Sequence, residues 1–170
     1  MKGYVQVYTG DGKGKTTASL GLAVRAAGAG LNVFIVQFMK QGDYSEIKAL
    51  SKFDNIDVEQ YGAGKFVINN PSEAEKESCR AGYKRLRGII KAGNHGLVIA
   101  EEANVACKCG LLSEDELLQL IELKPDHVEL VFTGRGATEK IKEAADLITE
   151  MKEIKHYYKK GVTARVGIEK

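Results

Sequence analysis

Tyr8-Thr9-Gly10-Asp11-Gly12-Lys13-Gly14-Lys15-Thr16-Thr17 is the stretch on which the fold of this chain turns. The residues before it, Tyr4-Val5-Gln6-Val7-Tyr8-Thr9, have the branched and aromatic composition of a strand. The residues after it put Leu20, Ala23, Val24 and Ala27 on one face of a helix that opens near Thr16 and stops at Gly28-Ala29-Gly30. Strand, glycine-rich turn and helix are the setting in which Gly-Lys-Thr acts as a phosphate loop. The full pattern G-x-x-x-x-G-K-[ST] is met at Gly14-Lys15-Thr16, while Thr9 stands where the first glycine belongs. The physical requirements hold nonetheless. Gly10, Gly12 and Gly14 let backbone N–H groups turn inward around phosphate oxygens. Lys15 brings a point charge, Thr16 a hydroxyl for a divalent cation, and the helix its positive end. Gly10, Asp11, Gly12, Lys13, Gly14, Lys15, Thr16 and Thr17 are therefore the candidate site for a nucleoside triphosphate.

Outward from the loop, short β-branched runs alternate with longer helical patterns, which predicts βαβ units around a mostly parallel sheet. Strands are expected at Asn32 to Phe38, Ile56 to Tyr61, Leu97 to Ala100, Val128 to Thr133 and Leu147 to Met151. The second and fourth of the six strands are continuously apolar through their middles, as strands covered on both faces are. Capping boxes at Ser72-Glu73-Ala74-Glu75 and Ser113-Glu114-Asp115-Glu116 open two helices, the first running to about Ala92. A short helix is expected from about Thr138 to Ala145. Leu97-Val98-Ile99-Ala100 ends in Glu101-Glu102, an acidic strand end suited to completing a Mg²⁺ shell with Thr16. Strand alternation puts the two side chains on opposite faces, so one is expected to reach the metal, and Glu102 is the candidate.

The 170 residues suit one domain with one sizeable core, and neither a repeat nor a Pro/Gly/Ser-rich linker divides them. The formal net charge of +2 is too small for a phosphate-backbone binder, so no nucleic-acid partner is expected. No apolar run approaches the ~20 residues that span a bilayer. The N-terminus carries no signal-peptide pattern, and Cys79, Cys107 and Cys109 make no disulfide framework, so the cytoplasm is the expected location. Cys107-Lys108-Cys109 lacks zinc spacing and reads as a pair of ordinary thiols. His95, His127 and His156 are far apart and make poor ligand candidates.

A phosphate loop does not name a reaction. A GTPase switch needs a guanine-reading Asn/Thr-Lys-x-Asp, and Leu123-Lys124-Pro125-Asp126 does not provide it. A nucleotide or small-molecule kinase wants an arginine-rich lid, yet Arg80, Arg85 and Arg87 share one long helix and no lid-like segment gathers the arginines. A broader pattern favours a third class. Tyr8 to Thr17 resembles the loop of the ATP:corrinoid adenosyltransferase family, which also has Thr-Gly where other loops begin with glycine. Arg25-Ala26-Ala27-Gly28, Val33 to Lys40, Glu101 to Ala106 and Thr133-Gly134-Arg135-Gly136-Ala137 resemble its successive blocks. So do Ala144 to Met151, Ile154-Lys155-His156 and Gly161 to Glu169.

The resemblance implies a RecA-like, three-layer P-loop fold and a Co(I) corrinoid that attacks the ribose 5′-carbon of ATP and expels triphosphate. It implies Mg²⁺ or Mn²⁺, an electron-donating reductase and a homodimer. The kinase remains the alternative. The resemblance also implies an aromatic wedge that displaces the lower ligand of the corrinoid. Phe66 is the candidate, since Gly64-Lys65-Phe66-Val67 stands where the family's best-known members carry Phe and Trp, and this chain has no tryptophan. Two further departures are Asp11 for the loop's usual asparagine and Glu101 for the usual aspartate. Residues 155–170 are basic and aromatic without a period, and are read either as a cover over the site or as a solvated end.

Overall fold

The computed structural model describes residues 1–63 and 71–169. Strands β1 (Val5–Thr9), β2 (Val33–Phe38), β3 (Ile56–Tyr61), β4 (Leu97–Glu101), β5 (Glu129–Thr133) and β6 (Leu147–Glu150) alternate with helices α1 (Lys15–Gly28), α2 (Ser45–Leu50), α3 (Glu73–Ala92), α4 (Ala103–Lys108), α5 (Glu114–Leu123) and α6 (Glu139–Ala144). A 3₁₀ turn follows at Tyr157–Lys160. The six strands form one sheet in the order β3-β2-β4-β5-β1-β6. Every pairing is parallel, a stricter arrangement than the mostly parallel sheet expected from the sequence.

Period-two alternation divides the strand residues between two cores. Phe34, Val36 and Phe38 of β2, with Val98 and Ala100 of β4, pack against Cys79, Tyr83, Leu86 and Ile90 of α3 and Leu117 and Leu120 of α5. Val33 and Ile35 of β2, with Leu97 and Ile99 of β4, pack on the other face against Leu20, Ala23, Ala26 and Ala27 of α1 and Leu50 of α2. The sheet is thus sandwiched between two helical layers. Its strands β2 and β4 are buried at every position because both faces are covered, and they are apolar except at Gln37 and Glu101.

Helix boundaries follow their chemical signals. Ser72 and Ser113 form complete capping boxes with Glu75 and Glu116, and Gly93 ends α3 in the left-handed conformation at φ 67°. Thr138 caps α6 by accepting from the Ile141 N–H. Two of the short helices, α2 and α4, were not expected from the sequence. None of the helices among the described residues is long and apolar enough to cross a membrane.

Two features of the topology position the site. β5 lies between β1, which carries the phosphate loop, and β4, which carries the acids. All strands end on the same side, so the loops after β1, β2, β4 and β5 converge at one rim.

Candidate active site

The phosphate loop is built from both ends of the chain. Gly14 adopts φ 123°, a conformation that a side chain would strain, and it opens α1 without a capping side chain. The first N–H groups of the helix are therefore left for an anion. Gly12 donates its N–H to the Met151 carbonyl at 2.7 Å, just past β6. A Cβ on Gly12 would fall 2.7 Å from that same oxygen, so only glycine fits there. Thr9 accounts for the missing first glycine of the motif: its buried Oγ1 accepts from the Ala137 N–H at 3.3 Å and ties the loop to the β5–α6 connection.

Lys15 is only 8% exposed, and its ammonium donates to the Gly10 and Gly12 carbonyls at 2.7 Å each. Burial lowers its pKa and Arg135 adds to the effect, while Glu102 and Asp11 oppose it. The loop, Lys15 and Thr16 border a cavity of about 880 Å³, which Leu20, Met39, Lys40, Ser45, Glu46, Glu102, Val105, Arg135 and His156 also line. Gly12, Lys13, Gly14 and Thr17 complete the loop's share of that wall, whereas Gly10 and Asp11 are not part of it.

The two acids at the end of β4 part company, for a reason other than strand alternation. Glu102 is the residue after the strand and adopts the left-handed conformation at φ 58°, held by its N–H donating to Thr133 Oγ1 at 3.0 Å. This turn sends Glu102 to the cavity wall. Burial raises its pKa and the neighbouring Glu101 charge adds to the rise, against the pull of Lys40, Lys15 and Arg135. Glu101 is fully buried. It accepts from Gln37 Nε2 at 2.5 Å and from Lys40 Nζ at 3.3 Å. Gln60 donates in turn to Gln37 at 3.0 Å and accepts from the Gly42 N–H at 3.2 Å, so the network fixes the loop after β2 that carries Lys40.

Residues 152–169 return across the mouth of the cavity, and Gly167, Ile168 and Glu169 form part of its wall. His156 accepts from the Tyr158 N–H through Nδ1 at 3.0 Å, which leaves the proton of the neutral ring on Nε2. Sequence reasoning gave His156 little weight and assigned no role to Lys40 or Arg135, although all three lie in the blocks that carried the family resemblance. Ser45 and Glu46 come from the unexpected α2 and gave no signal. Phe66 lies outside the described residues.

Comparison with known proteins agrees with this geometry. The family model described as "ATP:corrinoid adenosyltransferase BtuR/CobO/CobP" matches residues 1–169. A corrinoid adenosyltransferase of Pseudomonas aeruginosa is 32% identical over 170 residues, covering 99% of this chain and 84% of the relative. The corrinoid adenosyltransferase CobA of Salmonella typhimurium is 30% identical over 168 residues, covering 99% of this chain and 86% of the relative. An uncharacterized Nostoc protein is 34% identical over 172 residues, covering 92% of this chain but 45% of its own length. With a phosphate loop, an acid facing it and a match along essentially the whole sequence, the chain belongs to the ATP:corrinoid adenosyltransferase family.

Proposed function

We propose that this protein transfers the 5′-deoxyadenosyl group of ATP to the Co(I) centre of a corrinoid and releases triphosphate. The observation that carries the reading is the family match over residues 1–169, with the matched phosphate loop opening into the cavity. The attacking electron pair comes from the substrate cobalt, so the protein's task is to bind, align and stabilise a leaving group. Lys15, Lys40 and Arg135 line the cavity and supply positive charge where the departing triphosphate gathers negative charge. The uncapped start of α1 adds backbone N–H groups aimed at the same anion.

The Thr16 hydroxyl and the Glu102 carboxylate lie on the wall of this one cavity. Both are hard oxygen donors, a set that suits Mg²⁺ or Mn²⁺ completed by phosphate and water oxygens. Bound there, such an ion would neutralise charge on the phosphates. Phe66 is the proposed aromatic contact to the corrinoid, on the strength of its place in the family pattern. We further propose a single nucleotide-binding domain, cytoplasmic and homodimeric, that receives electrons for its corrinoid from a reductase.

Phosphorus NMR of a reaction containing ATP and chemically reduced corrinoid tests the chemistry. Triphosphate is the expected product, formed in step with the visible absorption of a new Co–C bond. ADP appearing in step with turnover would identify a phosphotransferase instead.

A further inference from the structure

Lys13 belongs to the phosphate loop, yet its side chain turns to the end of the chain. Its ammonium donates to the Ile168 carbonyl at 2.9 Å and lies 3.8 Å from Glu169 Oε1. Among the described residues, these are the polar contacts that join loop residues 10–17 to residues 161–169. The far side of the contact is a built structure. Glu169 accepts from the Arg165 backbone N–H at 2.9 Å, from Arg165 Nη2 at 3.1 Å and from the Tyr157 hydroxyl. The Arg165 guanidinium sits 5.1 Å from the centre of the Tyr157 ring. Arg165 and Tyr157 hold the Glu169 carboxyl down to about 2, so it stays ionised at any working pH. Residues 161–169 are thus folded around Glu169 into a strap, and Gly167, Ile168 and Glu169 face the cavity.

A lysine that binds phosphate has to present its ammonium to the anion. Lys15 does so from within the loop, where carbonyls of the loop alone hold it. The Lys13 ammonium is committed to a carbonyl and a carboxylate of the strap. We propose that Lys13 is the latch of the nucleotide site, a positioning residue whose ammonium holds the strap against the phosphate loop through Ile168 and Glu169 so that the strap walls ATP into the cavity. The latch rests on reading this cavity as the ATP site. Losing either partner releases the same wall, so the two losses do not add.

A double-mutant cycle in ATP affinity, measured without corrinoid so that no turnover occurs, tests this with Lys13→Met, Glu169→Gln and the double variant. The Lys13 side chain is 41% exposed and Glu169 lies in the strap, so the core is untouched. Each single variant should weaken ATP about fivefold, the scale of one partly exposed ion pair with its hydrogen bond, and the double variant by no more. Tryptic release of the fragment after Arg165 supplies a readout that a phosphate-binding role would not move. Saturating ATP should suppress that cut in the wild type and fail to do so in Lys13→Met. A double variant weakened by the product of the single effects overturns the latch alone, as does full protection of Arg165 in Lys13→Met at saturating ATP. Wild-type protein that binds no ATP overturns the ATP reading, and the latch with it.

Discussion

Glu101 and Glu102 are neighbours with opposite demands on the fold. Glu101 is buried against a cation and an amide, so its charge is compensated. Glu102 is held at the cavity with its carboxyl raised, so the folded protein takes up its proton more readily than the unfolded chain does. Above the ordinary carboxylate value of about 4.3, the charged Glu102 therefore opposes folding, and the penalty fades as pH falls towards that value. Glu102→Gln should raise the melting temperature of the metal-free protein at neutral pH, lose that gain in acid, and lower turnover. Glu101→Gln should lower the melting temperature, since it removes the charge that balances Lys40 and turns one acceptor oxygen into an amide donor facing the donors of Gln37 and Lys40, at a cost of about 1–3 kcal/mol. Melting curves of the two variants at pH 7 and pH 4 check both signs, and shifts in the same direction at pH 7 would contradict the assignment. The sequence singles out Glu102 by strand alternation, whereas in the structure a different cause brings it to the cavity wall. Alternation describes residues inside a strand, whereas Glu102 lies one residue beyond, where a left-handed turn sets its direction.

At the scale of elements, what could be read depended on whether a helix announces its ends. α3 and α5 carry complete capping boxes and a buried apolar stripe, and both were visible in the sequence. α2 and α4 run for six residues each, bury few side chains and have no side-chain cap, so neither period nor punctuation marks them. The miss cost part of the site, because Ser45 and Glu46 of α2 and Val105 of α4 line the cavity. The caps should have measurable worth. Ser113→Ala removes the acceptor for the Glu116 N–H and should destabilise the protein by about 1 kcal/mol, seen as a lower urea midpoint with an unchanged slope. ATP affinity should not change, since α5 contributes nothing to the cavity wall. A fall in affinity as large as the fall in stability would show that α5 supports the site more directly than its position suggests.

Over the whole molecule, strand identity was readable and strand order was not. Six strand patterns state that a sheet exists, but which strands are neighbours depends on packing between distant parts of the chain. That order decides which cations share a cavity with the loop. Lys40 and Arg135 follow β2 and β5, and only their common rim makes them partners of Lys15. β5 is the spacer in this arrangement, standing between the loop strand and the acid strand, and Phe132 within it is fully buried. Phe132→Ala should cost about 3–5 kcal/mol of stability. It should also weaken ATP in the surviving folded fraction, because the spacing of loop and acid depends on that strand. Denaturant titration and ATP binding on one preparation separate the two effects, and unchanged affinity would mean that the rim holds its geometry without a well-packed spacer.

The dependence of the loop on both chain ends also has a consequence in time. Residues 10–16 are synthesised well before β5 and β6, yet among the described residues β1 pairs only with those two strands, and the Gly12 N–H rests on the Met151 carbonyl. A growing chain at ordinary elongation rates therefore spends on the order of ten seconds with its nucleotide-binding sequence made but unassembled. Once β4 has been made, β2, β3 and β4 can pair among themselves while β1 still has no partner. The loop's surroundings are thus completed late, and a ribosome stalled before residue 129 displays the motif without the strands that β1 pairs with.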